Sequence, residues 1–256
     1  MNDEVRKPSE VAGDLPGAAR VLALLDASRQ SLAALTAAVE LAVGRHAELV
    51  ALFVEDLDLL HCAGFPFSCE VGAQSGLARP LSPEVLEASL ARQVKRASQA
   101  LAEAVAGREV RHRFQVSRGR VASEALALAG PGDVLVLGKA GLSGQWGVRL
   151  GSTSRALILE APCTVVIWDE RLPPSRGSLR LVSDTDPQLS DADLTALAPL
   201  FDGVEALPSM SATALERYLA RARSGALLLH RPELARLVEQ DPQLLARIPV
   251  PIIVVP

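Results

Sequence analysis

Short, almost unbroken apolar runs constrain this chain more than any other feature: VLALL at 21–25, VLVLG at 134–138 and TVVIW at 164–168. Each is too short for a helix, and a strand without a polar face has to be covered on both sides. Such strands belong in the middle of a parallel sheet with helices packed on its two faces. The stretches between them can supply those covers. After Asp26, the residues Leu32, Leu35, Val39 and Ala42 recur at helical spacing, with Ser28 placed to cap the helix and Gly44 to end it. Leu86, Leu90, Val94, Ala97, Leu101 and Val105 form a second apolar line, opened by Ser82 and Pro83 and closed by Gly107. Aromatics make up only 3% of the residues, so the apolar surface is mostly Ala, Leu and Val.

The alternation continues through the first two thirds of the chain. ELVALFVED at 48–56 and the segment around 111–116 read as strands, and 121–129 and 153–159 as helices. Five strands in all predict a doubly wound α/β domain over residues 19–170, after a flexible N-terminal stretch at 1–18. VLALL is expected at the centre of its sheet and TVVIW at the outer end. Residues 57–81 hold His61, Cys62, Gly64, Pro66, Cys69, Gly72, Gly76 and Pro80, and read as a long loop, a lid or a cover.

Turn and charged residues at 169–178 mark a linker, placed at 171–177. Beyond it, 178–256 repeats the plan in reduced form. LRLVSD resembles VLALLD, with Asp184 where Asp26 stood; ALLLH resembles DVLVLG; VPIIVVP resembles PCTVVIW. One helix is expected over 191–200 and another over 212–222, with the short strand VEAL between them. One strand-helix unit is missing, so this shortened α/β domain is expected to dock on the first through an apolar face, with TVVIW and IIVVP near the contact.

Composition narrows the function classes. Lys and Arg number 26 against 30 Asp and Glu, a net charge of −4, which argues against coating nucleic acid. No run approaches the roughly 20 apolar residues of a membrane span. The three cysteines are too few for a disulfide scaffold, and the charged N-terminus does not read as a secretory signal. These features predict a cytoplasmic chain without a nucleic-acid or membrane partner.

The chemistry concentrates in GKAGLSGQWGVRLGSTS at 138–154. Gly138 follows an apolar strand, Gly141, Gly144 and Gly147 follow at three-residue intervals, and Gly151 and Ser152 open a helix. Glycines allow backbone N–H groups to face a ligand, and a helix N-terminus adds free N–H groups and a favourable dipole. Ser152 and Thr153 add hydroxyls, and Lys139 and Arg149 could offset phosphate charge. A phosphate group at the carboxyl end of a strand is the natural ligand. Neither the G-x-x-x-x-G-K-[ST] loop nor an early G-x-G-x-x-G is present.

The pattern Gly138-x-x-Gly141, the nine residues 142–150, then Gly151-Ser152 resembles that of nucleotide-binding universal stress proteins. LLDASRQS, LFVED, SRG at 117–119 and APCTVVIWD are similar to further segments of that family, and DAS stands where D-G-S is frequent. The resemblance implies strand order 3-2-1-4-5 and a tandem member with a degenerate second copy. It also implies an adenine nucleotide (ATP, ADP or AMP), with or without Mg²⁺. Asp26, Ala27 and Phe53 or Val54 would edge the base or ribose; Gly138, Gly141, Gly151, Ser152 and Thr153 would hold the phosphates. The implied role is regulation in the stress response, with at most weak ATP hydrolysis. The competing reading is a structural or interaction module with a ligand-free glycine loop, whose groove Phe65, Phe67 or Trp146 would fill. The second copy carries no glycine loop, so one site per chain is expected. Intramolecular domain pairing is expected, and a homodimer or a regulatory protein partner stays open. His46, His61, His112 and His230 enter no nucleophile–base motif, and the spacing of Cys62 and Cys69 suits neither a zinc half-site nor C-x-x-C chemistry. Cys163 reads as a packing residue.

Overall fold

The structure, a computed structural model, describes residues 19–72, 75–139, 151–168, 177–183, 197 and 200–256. In chain order the first part holds β1 (Arg20–Leu25), α1 (Arg29–Gly44), β2 (Glu48–Asp56), α2 (Leu57–Ala63), β3 (Cys69–Val71), β4 (Ala78–Pro80), α3 (Pro83–Val105), β5 (His112–Gly119), α4 (Val121–Leu128), β6 (Val134–Gly138), α5 (Ser152–Glu160) and β7 (Thr164–Trp168). The second part holds β8 (Ser178–Val182), β9 (Gly203–Leu207), α6 (Ala212–Leu219), β10 (Ala226–His230), α7 (Arg231–Gln240), α8 (Leu244–Arg247) and β11 (Ile252–Val255).

Nine strands form one sheet in the order β5-β2-β1-β6-β7-β11-β10-β8-β9. VLALL is central to the first part, as its apolar run requires: β1 pairs in parallel with β2 and with β6, Val21 opposite Val134. Every neighbouring pair in this sheet is parallel except β7 and β11, which run antiparallel with Val166 opposite Ile253. TVVIW is therefore interior to the continuous sheet and not at an outer end. The two parts join edge to edge through backbone hydrogen bonds, and not only through an apolar face. Two apolar layers cover the sheet, one around α1 and α3, the other around α4, α5, α6, α7 and α8. Each layer contains residues from both parts, so the core is shared.

Two long side chains cross this junction reciprocally. The Lys139 ammonium, just past β6, donates to the carbonyl of Ile248, which ends α8. Arg231, just past β10, donates from Nε to the carbonyl of Ile158 at 3.1 Å and from Nη2 to that of Ala161 at 2.6 Å, at the end of α5. Both satisfy helix carbonyls that have no partner within their own helix.

Residues 57–81 are not one long loop. Asp56 caps α2 by accepting the Asp58 N–H, and Ala63 packs against Leu86 and Leu90 of α3. β3 and β4 then pair as an antiparallel hairpin. Most of these side chains are exposed, so no apolar period announces the elements. The helix expected over 191–200 lies outside the described residues, except for Leu197 and Leu200, both buried. Far from the carboxyl ends of the strands, Asp133 fixes the start of β6 to that of β1. It accepts the Arg20 N–H at 2.9 Å and the Arg20 Nη2 at 2.7 Å.

Candidate functional site

A cleft of about 390 Å³ opens at the carboxyl ends of β1 and β6, between the N-termini of α1 and α5. Its floor is apolar: Leu24 and Leu25 of β1, Val54 of β2 and Leu137 of β6, with Val121 of α4 at one side. Its walls are polar, with Asp26, Ser28, Gln30 and Ser31 facing Gly151, Ser152, Thr153 and Ser154. Asp26 carries the only formal charge among the described lining residues.

The Asp26 wall is built by a tight turn. Asp26 Oδ1 accepts the Ser28 N–H at 2.9 Å, and Ser28 caps α1 by accepting the Ser31 N–H at 3.2 Å. Ser31 Oγ in turn accepts the Asp26 N–H at 3.3 Å. This turn puts Ala27 at φ 59°, a left-handed conformation that an alanine adopts only at a cost and a glycine adopts freely. The frequent glycine of D-G-S thus has a backbone reason at this position. Ala27 is buried and does not line the cleft.

Alternation along β2 separates the two residues expected from that strand. Val54 lines the cleft, while Phe53 points to the opposite face and packs in the α1–α3 layer. Gly138, Gly151, Ser152 and Thr153 come together in the cleft. Gly141, Trp146 and Arg149 lie outside the described residues. Lys139 is turned away, its ammonium buried at the junction with α8, so it is not a phosphate counter-charge. Phe65 and Phe67 are exposed and do not line the cleft.

The two described glycines of the pattern have different causes. A Cβ on Gly138 would stand 2.4 Å from the Gln30 carbonyl carbon and 2.6 Å from the Ser31 nitrogen, so close passage of α1 over the end of β6 requires glycine. A Cβ on Gly151 would meet no described residue within 4 Å. Gly151 also has φ −60°, which any residue adopts, and caps α5 without a side-chain hydrogen bond. Among the described residues, then, no contact gives a reason for glycine at 151.

Ser31, Gln30 and Ser154 are lining residues that sequence reasoning missed. The available signal was a run of small hydroxyl residues in the first turn of two helices that follow central strands. Ser31 and Ser154 are nearly fully buried, which for a serine marks a built polar environment.

In the second part, side chains from the β9 end and from α7 bond to one another instead. Ser209 Oγ donates to Glu233 at 3.0 Å, while Arg236 donates to Glu233 Oε2 at 2.7 Å, to Ser209 at 2.9 Å and to the Met210 carbonyl at 2.8 Å. The Arg236 hydrogen bond holds the Glu233 carboxyl below the usual carboxylate range. Asp184, the counterpart proposed for Asp26, lies outside the described residues.

Residues 18–168 match the model of the universal stress protein family. The chain is similar to the universal stress protein UspA from Lactobacillus plantarum, with 25% identity over 58% of this chain and 96% of that one, and a TM-score of 0.42. It is also similar to a universal stress protein from Archaeoglobus fulgidus DSM 4304, with 13% identity over 92% of this chain and 97% of that one, and a TM-score of 0.58. The latter likeness extends the shared fold over both parts of the chain. No curated protein matches the sequence.

Proposed function

Because this chain belongs to the universal stress protein family, and so to the stress-response proteins, we propose that it is a regulator holding one adenine nucleotide (ATP, ADP or AMP) in the first-part cleft. The observation that carries this reading is Gly151, which lines the cleft and whose missing side chain leaves open space there, with no contact among the described residues to account for it. The cleft volume of about 390 Å³ falls within the range of small-molecule sites, about 300–1,000 Å³.

In this reading the α5 N-terminus and the hydroxyls of Ser152 and Thr153 receive phosphate oxygens, as free helix N–H groups and hydroxyl donors do. Gly141, outside the described residues, is expected from the sequence pattern to add a backbone N–H to the same phosphates. Asp26 accepts from the ribose, and Val54 packs on the base. Phe53 and Ala27 act behind this surface, one as core and the other as the turn that aims Asp26. Mg²⁺ would enter on the phosphates; the described residues contain no group of three or more His, Cys, Asp or Glu that could hold a metal ion. At most weak hydrolysis belongs to this reading.

We also read the chain as a tandem: a domain at 19–170, a linker at 171–177 and a degenerate second domain at 178–256. The order β9-β8-β10-β11 repeats β2-β1-β6-β7, and Lys139 and Arg231 occupy matching places after β6 and β10. The cytoplasmic location expected from the sequence belongs to the same proposal; no described helix is long and apolar enough to cross a membrane.

The test is a calorimetric titration of the full chain with ATP, ADP and AMP, with and without Mg²⁺. One site per chain is expected, with binding weakened in Gly151→Val and Gly141→Val, because a branched side chain occupies the phosphate position. No binding at millimolar nucleotide, or unchanged affinity in the folded glycine variants, would leave the interaction-module reading in its place.

A further inference from the structure

Cys62 and Cys69 are eight positions of chain from end to end, and their spacing fits no familiar thiol motif. The fold closes that spacing. Cys62 lies in the last turn of α2, which is anchored through buried Ala63 on Leu86 and Leu90. Cys69 opens β3 and pairs with Pro80 of β4. Between them the backbone makes two successive turns, Phe65 N–H to the Cys62 carbonyl at 3.2 Å and Ser68 N–H to the Phe65 carbonyl at 3.1 Å. The Ser68 hydroxyl also donates to the Cys62 carbonyl, so the residue preceding Cys69 is held directly against Cys62. One peptide further, about 3.8 Å between α-carbons, stands Cys69.

Both thiols are exposed, whereas the third cysteine, Cys163, is buried and its thiol is pushed up to about 11 by burial and, less, by Asp133. The residues inside the turn do not resist tightening: Phe65 is 64% and Phe67 94% exposed. A disulfide needs α-carbons about 4.4–6.8 Å apart, so closure requires this exposed turn to adjust until the two cysteines reach that separation.

We infer that Cys62 and Cys69 form a reversible dithiol that hydrogen peroxide or an organic hydroperoxide closes to a disulfide. One thiolate attacks the peroxide; its sulfur gains the distal oxygen and becomes a sulfenic acid, and the other oxygen leaves as water or alcohol. The second thiolate then attacks the sulfenyl sulfur, the S–S bond forms, the S–O bond breaks, and the oxygen departs as water after taking a proton. The two sulfurs together lose two electrons and the peroxide gains them. A small dithiol reverses the change by exchange. The closed form clamps α2 to the hairpin and fixes the loop that carries Phe65 and Phe67.

The full-length, reduced protein is exposed to hydrogen peroxide under native conditions. Counted after unfolding in denaturant, two of its three thiols should have become unreactive to a thiol reagent and return with dithiothreitol. A chymotryptic map is informative because cleavage after Phe67 separates the two cysteines in the reduced chain and leaves them linked in the oxidised one. In C62S and C69S the remaining exposed thiol should stop at a sulfenic acid trapped by dimedone, while C163S behaves like the wild type. Thiols that stay reduced, that bridge only between chains, or that reach sulfinic acid without a Cys62–Cys69 link would overturn the assignment.

Discussion

Substituting Gly138 by alanine tests how the cleft is built. The added Cβ would stand 2.4–2.6 Å from three backbone atoms of Gln30 and Ser31, against ordinary contacts of 3.4–4 Å. Backbone cannot rotate away as a side chain can, so α1 has to lift from the end of β6 by about 1 Å. Overpacking of this kind costs about 1–3 kcal/mol, and a clash with backbone belongs at the upper end. The alanine also narrows the unfolded ensemble, which returns about 0.4–1 kcal/mol. The expected net loss is about 2 kcal/mol. Gly151→Ala is the control: its Cβ meets no described residue, so its stability should stay within about 0.5 kcal/mol of the parent. Equilibrium urea unfolding, followed by circular dichroism and tryptophan fluorescence, reads both variants; buried Trp168 pairs with Gly138 across β6 and β7 and reports this region. The separation should reverse in binding terms. Gly138→Ala weakens the site by moving Gln30 and Ser31, together with a loss of stability, whereas Gly151→Ala alters the site with the fold untouched. A Gly138→Ala protein as stable as the parent would refute the close-approach argument, and an equal loss in both variants would remove the distinction between the two glycines.

Four further outcomes follow from the contacts. Arg231→Ala deletes two charge-assisted bonds to the Ile158 and Ala161 carbonyls and should destabilise the chain by about 3 kcal/mol in urea unfolding; an unchanged midpoint would show that the junction rests on β7–β11 pairing alone. Arg247 hydrogen-bonds Glu216 and Asp241 and holds both carboxyls below their usual range. A depressed carboxylate adds stability above its unfolded value of about 4 and loses it as the pH falls through the folded value. Arg247→Ala should therefore be less stable than the parent at neutral pH and converge on it in acid, and a constant difference down to low pH would contradict this. Ser152→Ala should weaken nucleotide binding by about 1–2 kcal/mol, read by titration, by removing one hydrogen bond to a charged group. Cys163, with its thiol raised to about 11, should stay unreactive to thiol reagents at neutral pH until the chain unfolds, as a kinetic thiol assay in urea would reveal.

The class of fold was legible, and so was the strand end at which the candidate cleft opens, because both depend on local pattern. An unbroken run such as VLALL must be covered on two faces, which already implies a parallel sheet and helices on both sides. A helix that opens with Gly151-Ser152-Thr153 after such a strand exposes N–H groups wherever the sheet places it. Other features were decided by contacts between segments far apart in the chain. Gly138 reads as one more phosphate glycine until α1 is seen to cross β6, and only the position of the Gln30 backbone gives its missing Cβ a structural cause. Lys139 reads as a counter-charge beside a glycine loop, yet antiparallel pairing of β11 with β7 brings the Ile248 carbonyl within its reach. Cys62 and Cys69 carry no motif, and α2 and the β3–β4 hairpin that hold them expose most of their side chains and so leave no hydrophobic period. Periodicity records which face of an element is buried. It does not record which element buries it, because that choice depends on the packing of backbone against backbone, and a sequence read one segment at a time does not contain it.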